Sequence, residues 1–131
     1  YRHFPVEELH SKAPKEAEAL ECAAELGGNG KFWEYANRLY EVTPSNDQLP
    51  AGELTNIAKQ VGLSSASFET CLASGKYAGK VAADAKDAAE AGGEGTPYSV
   101  MIDTKTGETY PIVGAQPYAT LKEILDLILK S

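Results

Sequence analysis

The sequence predicts a mixed α/β chain in which a long run of helices comes first, and a hairpin and one closing helix come last. Three observations carry this reading. Helical periodicity with glycine breaks runs from about Ser11 to Ala91 without a strand-like run among the helices. Gly95-Thr96-Pro97 then opens a short apolar stretch, Tyr98 to Asp103. A turn sequence, Thr104-Lys105-Thr106-Gly107, leads into a second short run and an apolar-striped tail.

The elements follow in order. Tyr1 to Phe4, ended by Pro5, has the aromatic character of a strand. Ser11 is a candidate helix cap, with Pro14 tolerated in the first turn, and the helix is expected to run to Leu26. Gly27-Gly28-Asn29-Gly30 should stop it. Lys31 to Val42 forms the next helix, with Phe32, Tyr35, Ala36, Leu39 and Tyr40 on one buried stripe. Thr43 to Asp47 is loop by composition.

Leu54, Ile57, Ala58 and Val61 mark a short helix ended by Gly62. Ser64 or Ser65 caps the next, with Phe68, Cys71 and Leu72 inward and Gly75 as its breaker. Tyr77 to Ala91 reads as an alanine-rich helix buried through Tyr77, Val81, Ala85, Ala88 and Ala89. Tyr98 to Asp103 is apolar on both faces, the pattern of a strand covered on both sides. Pro111 demotes the returning strand, Thr109 to Val113, to an edge. Tyr118 to Lys130 closes the chain, with Leu121, Ile124, Leu125, Ile128 and Leu129 striped against the sheet.

Composition bounds the function. With 131 residues, 43% of them hydrophobic, the chain can bury a core without disulfides or metal to replace it. A net charge of −7 argues against a nucleic-acid partner, which calls for a basic surface. No apolar run reaches the roughly 18 residues of a spanning helix. His3 and His10 lack the spacing of metal ligands, so no metal site is expected. Thr96-Pro97, at a loop-to-strand corner, is a candidate cis peptide.

Tyr1-Arg2-His3-Phe4-Pro5, Glu21-Cys22-Ala23, Gly30-Lys31-Phe32-Trp33-Glu34-Tyr35, Cys71-Leu72-Ala73-Ser74-Gly75, Gly95-Thr96-Pro97 and Gly114-Ala115-Gln116-Pro117-Tyr118 occur in one order. In this set the chain resembles the DsbA-like thiol-disulfide oxidoreductases from Tyr1 to about Ile128. The resemblance implies a thioredoxin-like fold with an inserted all-helical domain. Residues 1–10 would be a thioredoxin-fold strand and linker, 11–92 the helical insertion, and 93–131 the C-terminal thioredoxin part with its proline loop, hairpin and closing helix.

The family's Cys-x-x-Cys, at the start of the helix after the first strand, is expected upstream of Tyr1 together with that strand. A chain lacking the central strand leaves backbone groups unpaired, so a strand-exchanged homodimer or a retained N-terminal fragment is expected to complete it, and the chain alone to be inactive.

The resemblance also implies the site. Gly95, Thr96 and Pro97 would offer backbone to an extended thiol-containing protein or peptide substrate, with the alternative that the loop only shapes the sheet corner. Gln116 and Tyr118 are expected to cap and anchor the last helix. Cys22 and Cys71, on the inner faces of their helices, would form a structural disulfide, as similar pairs do in some members; the alternative is two buried free thiols. No catalytic residue and no cofactor are assigned within the chain. Reoxidation would fall to a membrane redox partner, and the address would be periplasmic, extracellular or membrane-tethered outside the cytoplasm.

Two other functions compete. One is a redox-inactive peptide-binding module, the other a glutathione-dependent isomerase or transferase on the same fold.

Overall fold

The computed structural model describes residues 1–130. The element order is α1 (Ala13–Val42), α2 (Glu53–Gln60), α3 (Ser65–Ser74), α4 (Ala78–Glu90), β1 (Tyr98–Ile102), β2 (Thr109–Val113) and α5 (Tyr118–Lys130). The chain divides into two compact units, Tyr1–Asp87 and Ala88–Ser131.

The first unit is built on α1. Its helical run carries one non-helical residue, Gly28, at φ 77° and ψ −172°, a conformation that only glycine adopts at little cost. The expected glycine stop is therefore a kink between two helical segments. Both segments turn apolar residues inward: Ala19, Leu20, Cys22 and Ala23 from the first, Phe32, Tyr35, Ala36 and Leu39 from the second. α2 adds Leu54, Ile57 and Ala58, and α3 adds Phe68 and Cys71. Tyr35 stacks on Phe68 at 5.4 Å between ring centroids, and its hydroxyl donates to the Leu54 carbonyl at 2.9 Å. That bond leaves the buried phenol satisfied.

Helix ends explain the boundaries. Ser64 Oγ accepts the Ser67 N–H, and Gly75 ends α3 in the left-handed region. Ser11 is not the cap of α1. Lys12 stands at that position without a side-chain cap, and Ser11 instead gives its N–H and hydroxyl to Asp47, which also accepts the Lys12 N–H. The loop carboxylate thus does from a distance what the serine was expected to do locally. Tyr40, expected on the buried stripe, is 68% exposed.

Tyr1 to Phe4 is not a strand. A strand needs a ladder partner, and β1 and β2 pair with each other. The segment is held through side chains instead. Arg2 Nε meets Asp87 at 2.5 Å, the His3 N–H donates to Asp84, and His3 Nε2 lies 2.8 Å from Glu21 Oε1. α4 buries Val81 alone; Tyr77, Ala85 and Ala88 are half-buried and Ala89 is exposed, which narrows the expected inner face.

The second unit holds the antiparallel pair β1–β2, registered Tyr98 with Val113, Val100 with Pro111 and Ile102 with Thr109. Pro111 lacks an N–H, and in a two-stranded sheet each strand has a free edge where that loss is tolerated. The expectation that β1 is covered on both sides fails: Ile102 is 61% exposed and Val100 is exposed as well. A two-stranded sheet has too little width to bury both faces. On α5, Leu121, Ile124 and Ile128 are half-buried, while Leu125 and Leu129 are exposed rather than packed.

Candidate functional site

The proline loop is assembled from both ends. On entry, Gly92 and Gly93 turn the chain tightly beneath Tyr98. A Cβ on Gly93 would meet the Ala88 carbonyl oxygen at 2.9 Å and the Tyr98 ring at 3.4 Å, so this position has no room for a side chain. The Tyr98 hydroxyl donates to the Ala91 carbonyl at 2.7 Å, tying the strand's first residue to the helix exit. On the far side, the Gly114 N–H donates to the Pro97 carbonyl at 2.9 Å, and Gly114 has φ 73°.

Between these ties the Thr96–Pro97 peptide is cis, Thr96 and Pro97 are exposed, and Gly95 is half-buried. Gln116 donates through Nε2 to the Val113 carbonyl, bracing the chain before α5. Tyr118 anchors nothing, being 80% exposed. The loop thus offers solvent a short, braced backbone beside an open strand edge. That arrangement suits hydrogen bonding to an extended peptide.

Both cysteines lie in the first unit. Cys22 and Cys71 form a disulfide with 5.9 Å between Cα atoms, joining α1 to α3. Neither is a free thiol, so the chain's own sulfurs do not include an available nucleophile. A surface groove of about 430 Å³ lies against the bridge, with Glu25, Leu26, Ala66, Thr70, Cys71 and Lys76 among its lining.

The sequence reading missed a polar cluster gathered around the buried His3. One ligand atom each from His3, Glu21 and Asp84 lie within 4.8 Å of one another, a donor set that could hold a divalent ion. Lys80 Nζ stands against the same carboxylates, 3.3 Å from Glu21 and 2.8 Å from Asp84, and supplies the countercharge itself. Burial alone would push the Asp84 carboxyl up. The Lys80 ammonium and the His3 N–H outweigh it and hold that group below the usual range. The i,i+4 spacing of Lys80 and Asp84 was visible in sequence, whereas their meeting with His3 was not.

A family model described as the DSBA-like thioredoxin domain matches residues 3–126. Among solved structures, DsbA2 of Pseudomonas aeruginosa superposes with a TM-score of 0.81 at 26% identity, covering 99% of this chain and 70% of that one. Among curated proteins, the Na(+)/H(+) antiporter NhaA 3 of Salinispora tropica is 34% identical over 97 residues. That match takes in 74% of this chain and spans only 14% of the antiporter's length.

Proposed function

Since the chain belongs to the DSBA-like thioredoxin-domain family, with a thioredoxin-like fold carrying a helical insertion, we propose that it is part of a protein thiol-disulfide oxidoreductase whose Cys-x-x-Cys lies upstream of Tyr1. The observation that carries this reading is the family match across residues 3–126 in a chain whose two cysteines are already bonded to each other. Residues 11–92 are the insertion, and residues 1–10 and 93–131 belong to the thioredoxin part. Gly95, Thr96 and Pro97 present backbone to an extended segment of the substrate protein.

In the oxidising direction a substrate thiolate attacks the upstream disulfide and forms a mixed disulfide. A second substrate thiolate displaces it, leaving a substrate disulfide and a reduced Cys-x-x-Cys. The two electrons pass on to a membrane redox partner. A location outside the cytoplasm accords with the Cys22–Cys71 bridge, because disulfides persist in oxidising compartments. Among the described residues no helix is long and apolar enough to cross a membrane.

Reading the upstream coding sequence tests the proposal. A Cys-x-x-Cys is expected within about 60 residues of Tyr1, the span of a strand, a helix and their loops, and its absence there would overturn the assignment. Titration of a thiol-free substrate peptide, followed by amide shifts, should move Gly95, Thr96 and Tyr98. Shifts confined to the first unit would remove the loop from the site.

A second reading is a redox-inactive peptide-binding module. It is favoured by the antiporter match, in which a segment like this one makes up a small share of a protein with another name and task. Insulin reduction by the intact protein, bearing its upstream segment, separates the two: turnover supports the oxidoreductase, and peptide binding without turnover supports the module.

A further inference from the structure

The groove beside the bridge makes its two sulfurs unequal. Both cysteines belong to the buried core cluster, but Cys71 lines the groove and keeps 5% of its surface exposed, whereas Cys22 is 1% exposed and is not part of the lining. An attacking thiolate must reach the sulfur it displaces from, so access decides which half of the bridge reacts. The groove also carries both signs of charge. Lys76 forms an ion pair with Glu25, and Tyr77 donates its hydroxyl to the same carboxylate at 2.6 Å. A zwitterionic small molecule offers each charge a matching group.

We propose that Cys71 is a second thiol-exchange site of the molecule, entered through this groove by a low-molecular-weight zwitterionic thiol and independent of the proline loop. The thiolate attacks Cys71 Sγ, the Cys22–Cys71 bond breaks, and a mixed disulfide forms between Cys71 and the small thiol. Cys22 leaves as the thiolate and takes a proton from solvent. A second small thiol attacks the mixed disulfide at the small molecule's sulfur, releasing Cys71 as a thiol and the oxidised thiol dimer, so two small thiols reduce one bridge.

The buried position of Cys22 gives the exchange its character. The Cys22 sulfur that is released stays in the core beside Cys71, so it re-attacks the mixed disulfide as an intramolecular nucleophile and recloses the bridge. The bridge behaves as a clasp that yields to a reducing surge in thiol and shuts when it passes. Because it joins α1 to α3, opening loosens the helical unit, whereas Gly95, Thr96 and Pro97 belong to the other unit.

The probe is reduced glutathione. The chain is incubated over a range of glutathione concentrations, quenched in acid to preserve the mixed disulfide, alkylated and mapped by peptide mass. Glutathione on Cys71 with alkyl label on Cys22, exceeding the reverse pattern by at least tenfold, is the expected result. Equal labelling of both sulfurs, which exchange through global unfolding would give, overturns the proposal. So does the absence of any adduct under conditions where the urea-unfolded chain reacts.

A groove-filling variant, Ala66→Trp, adds a second readout. With its melting temperature matching the parent's, it should slow adduct formation on Cys71 several-fold. Unchanged kinetics in that variant would show that the groove is not the route.

Discussion

The two units of the chain solve the burial problem differently. Tyr1–Asp87 closes over a core in which Tyr35, Phe68, Ile57 and Cys22 are fully buried, and then adds a disulfide, a phenol-to-carbonyl bond and a half-buried ion network. Ala88–Ser131 contributes Ile112 as its buried hydrophobic and leaves Ile102, Val113, Tyr118, Leu127 and Leu129 largely exposed. The candidate substrate loop belongs to the second unit, and the locked sulfurs belong to the first. Tight burial and the proposed recognition loop are thus divided along the sequence, and substitutions should read out that division.

The largest difference is expected from side-chain truncation. Phe68→Ala removes a fully buried ring stacked on Tyr35 and should destabilise the chain by about 3–5 kcal/mol, measured by urea unfolding. Ile102→Ser, at a residue 61% exposed, should stay within about 0.5 kcal/mol. Comparable costs at the two positions would break the contrast, because they would mean that Ile102 is covered in solution.

Next comes the bridge. Replacing both Cys22 and Cys71 by Ala opens a loop with a sequence separation of 49, for which chain entropy gives a loss of about 4 kcal/mol, an upper figure when the unfolded chain keeps residual structure. Differential scanning calorimetry should show the loss in the helical unit. Amide shifts of Gly95 and Thr96 should not move. A perturbation that spread to those residues would show that the units are not independent.

Tyr35→Phe sharpens the picture at a smaller scale. The ring remains and the bond to the Leu54 carbonyl goes, while that carbonyl, inside α2, keeps its place in the helical ladder. The expected cost is about 0.5–1.5 kcal/mol by chemical denaturation, the net range for one intramolecular hydrogen bond. A neutral result would mean that the helical bond alone satisfies the Leu54 carbonyl.

What the sequence made legible follows from what is local in it. Gly28, Gly62 and Gly75 mark their breaks because a positive φ is a property of one residue, and the Ser64 cap spans three positions. The strand expected at Tyr1 to Phe4 failed because a strand exists only with a partner, which no residue within the segment specifies. The Ser11 cap failed for a related reason: Asp47, separated from it by 36 positions, took the donors.

The apolar residues of β1 and α5 were read as buried from their pattern, but a pattern names a face and not what covers it. The pairing of Cys22 with Cys71 came from family resemblance. Helix faces alone left free thiols equally open. The cluster of His3, Glu21, Lys80 and Asp84 stayed hidden because only its Lys80–Asp84 pair is close in sequence.

The smallest effect tests the distant cap. Asp47 accepts the Lys12 N–H at 3.1 Å and the Ser11 N–H at 2.9 Å, and these bonds, that to Lys12 foremost, hold its carboxyl below the usual range. Its folded pKa therefore lies beneath the unfolded value of about 3.9. The stabilisation is present above that unfolded value and is lost as pH falls through the folded one. Asp47→Asn keeps the side-chain size but removes the charge facing the start of α1, where a negative group is favoured. Urea unfolding at a series of pH values should find the variant less stable than the parent at neutral pH. The gap should narrow below about pH 4, as the parent's own carboxylate becomes protonated. Solvent around the loop screens the interaction, which is why it ranks last. A gap that stayed constant from neutral pH down to acid would mean that Asp47 holds α1 through its shape and not its charge. The first unit would then owe its N-terminal closure to packing alone, like the rest of its core.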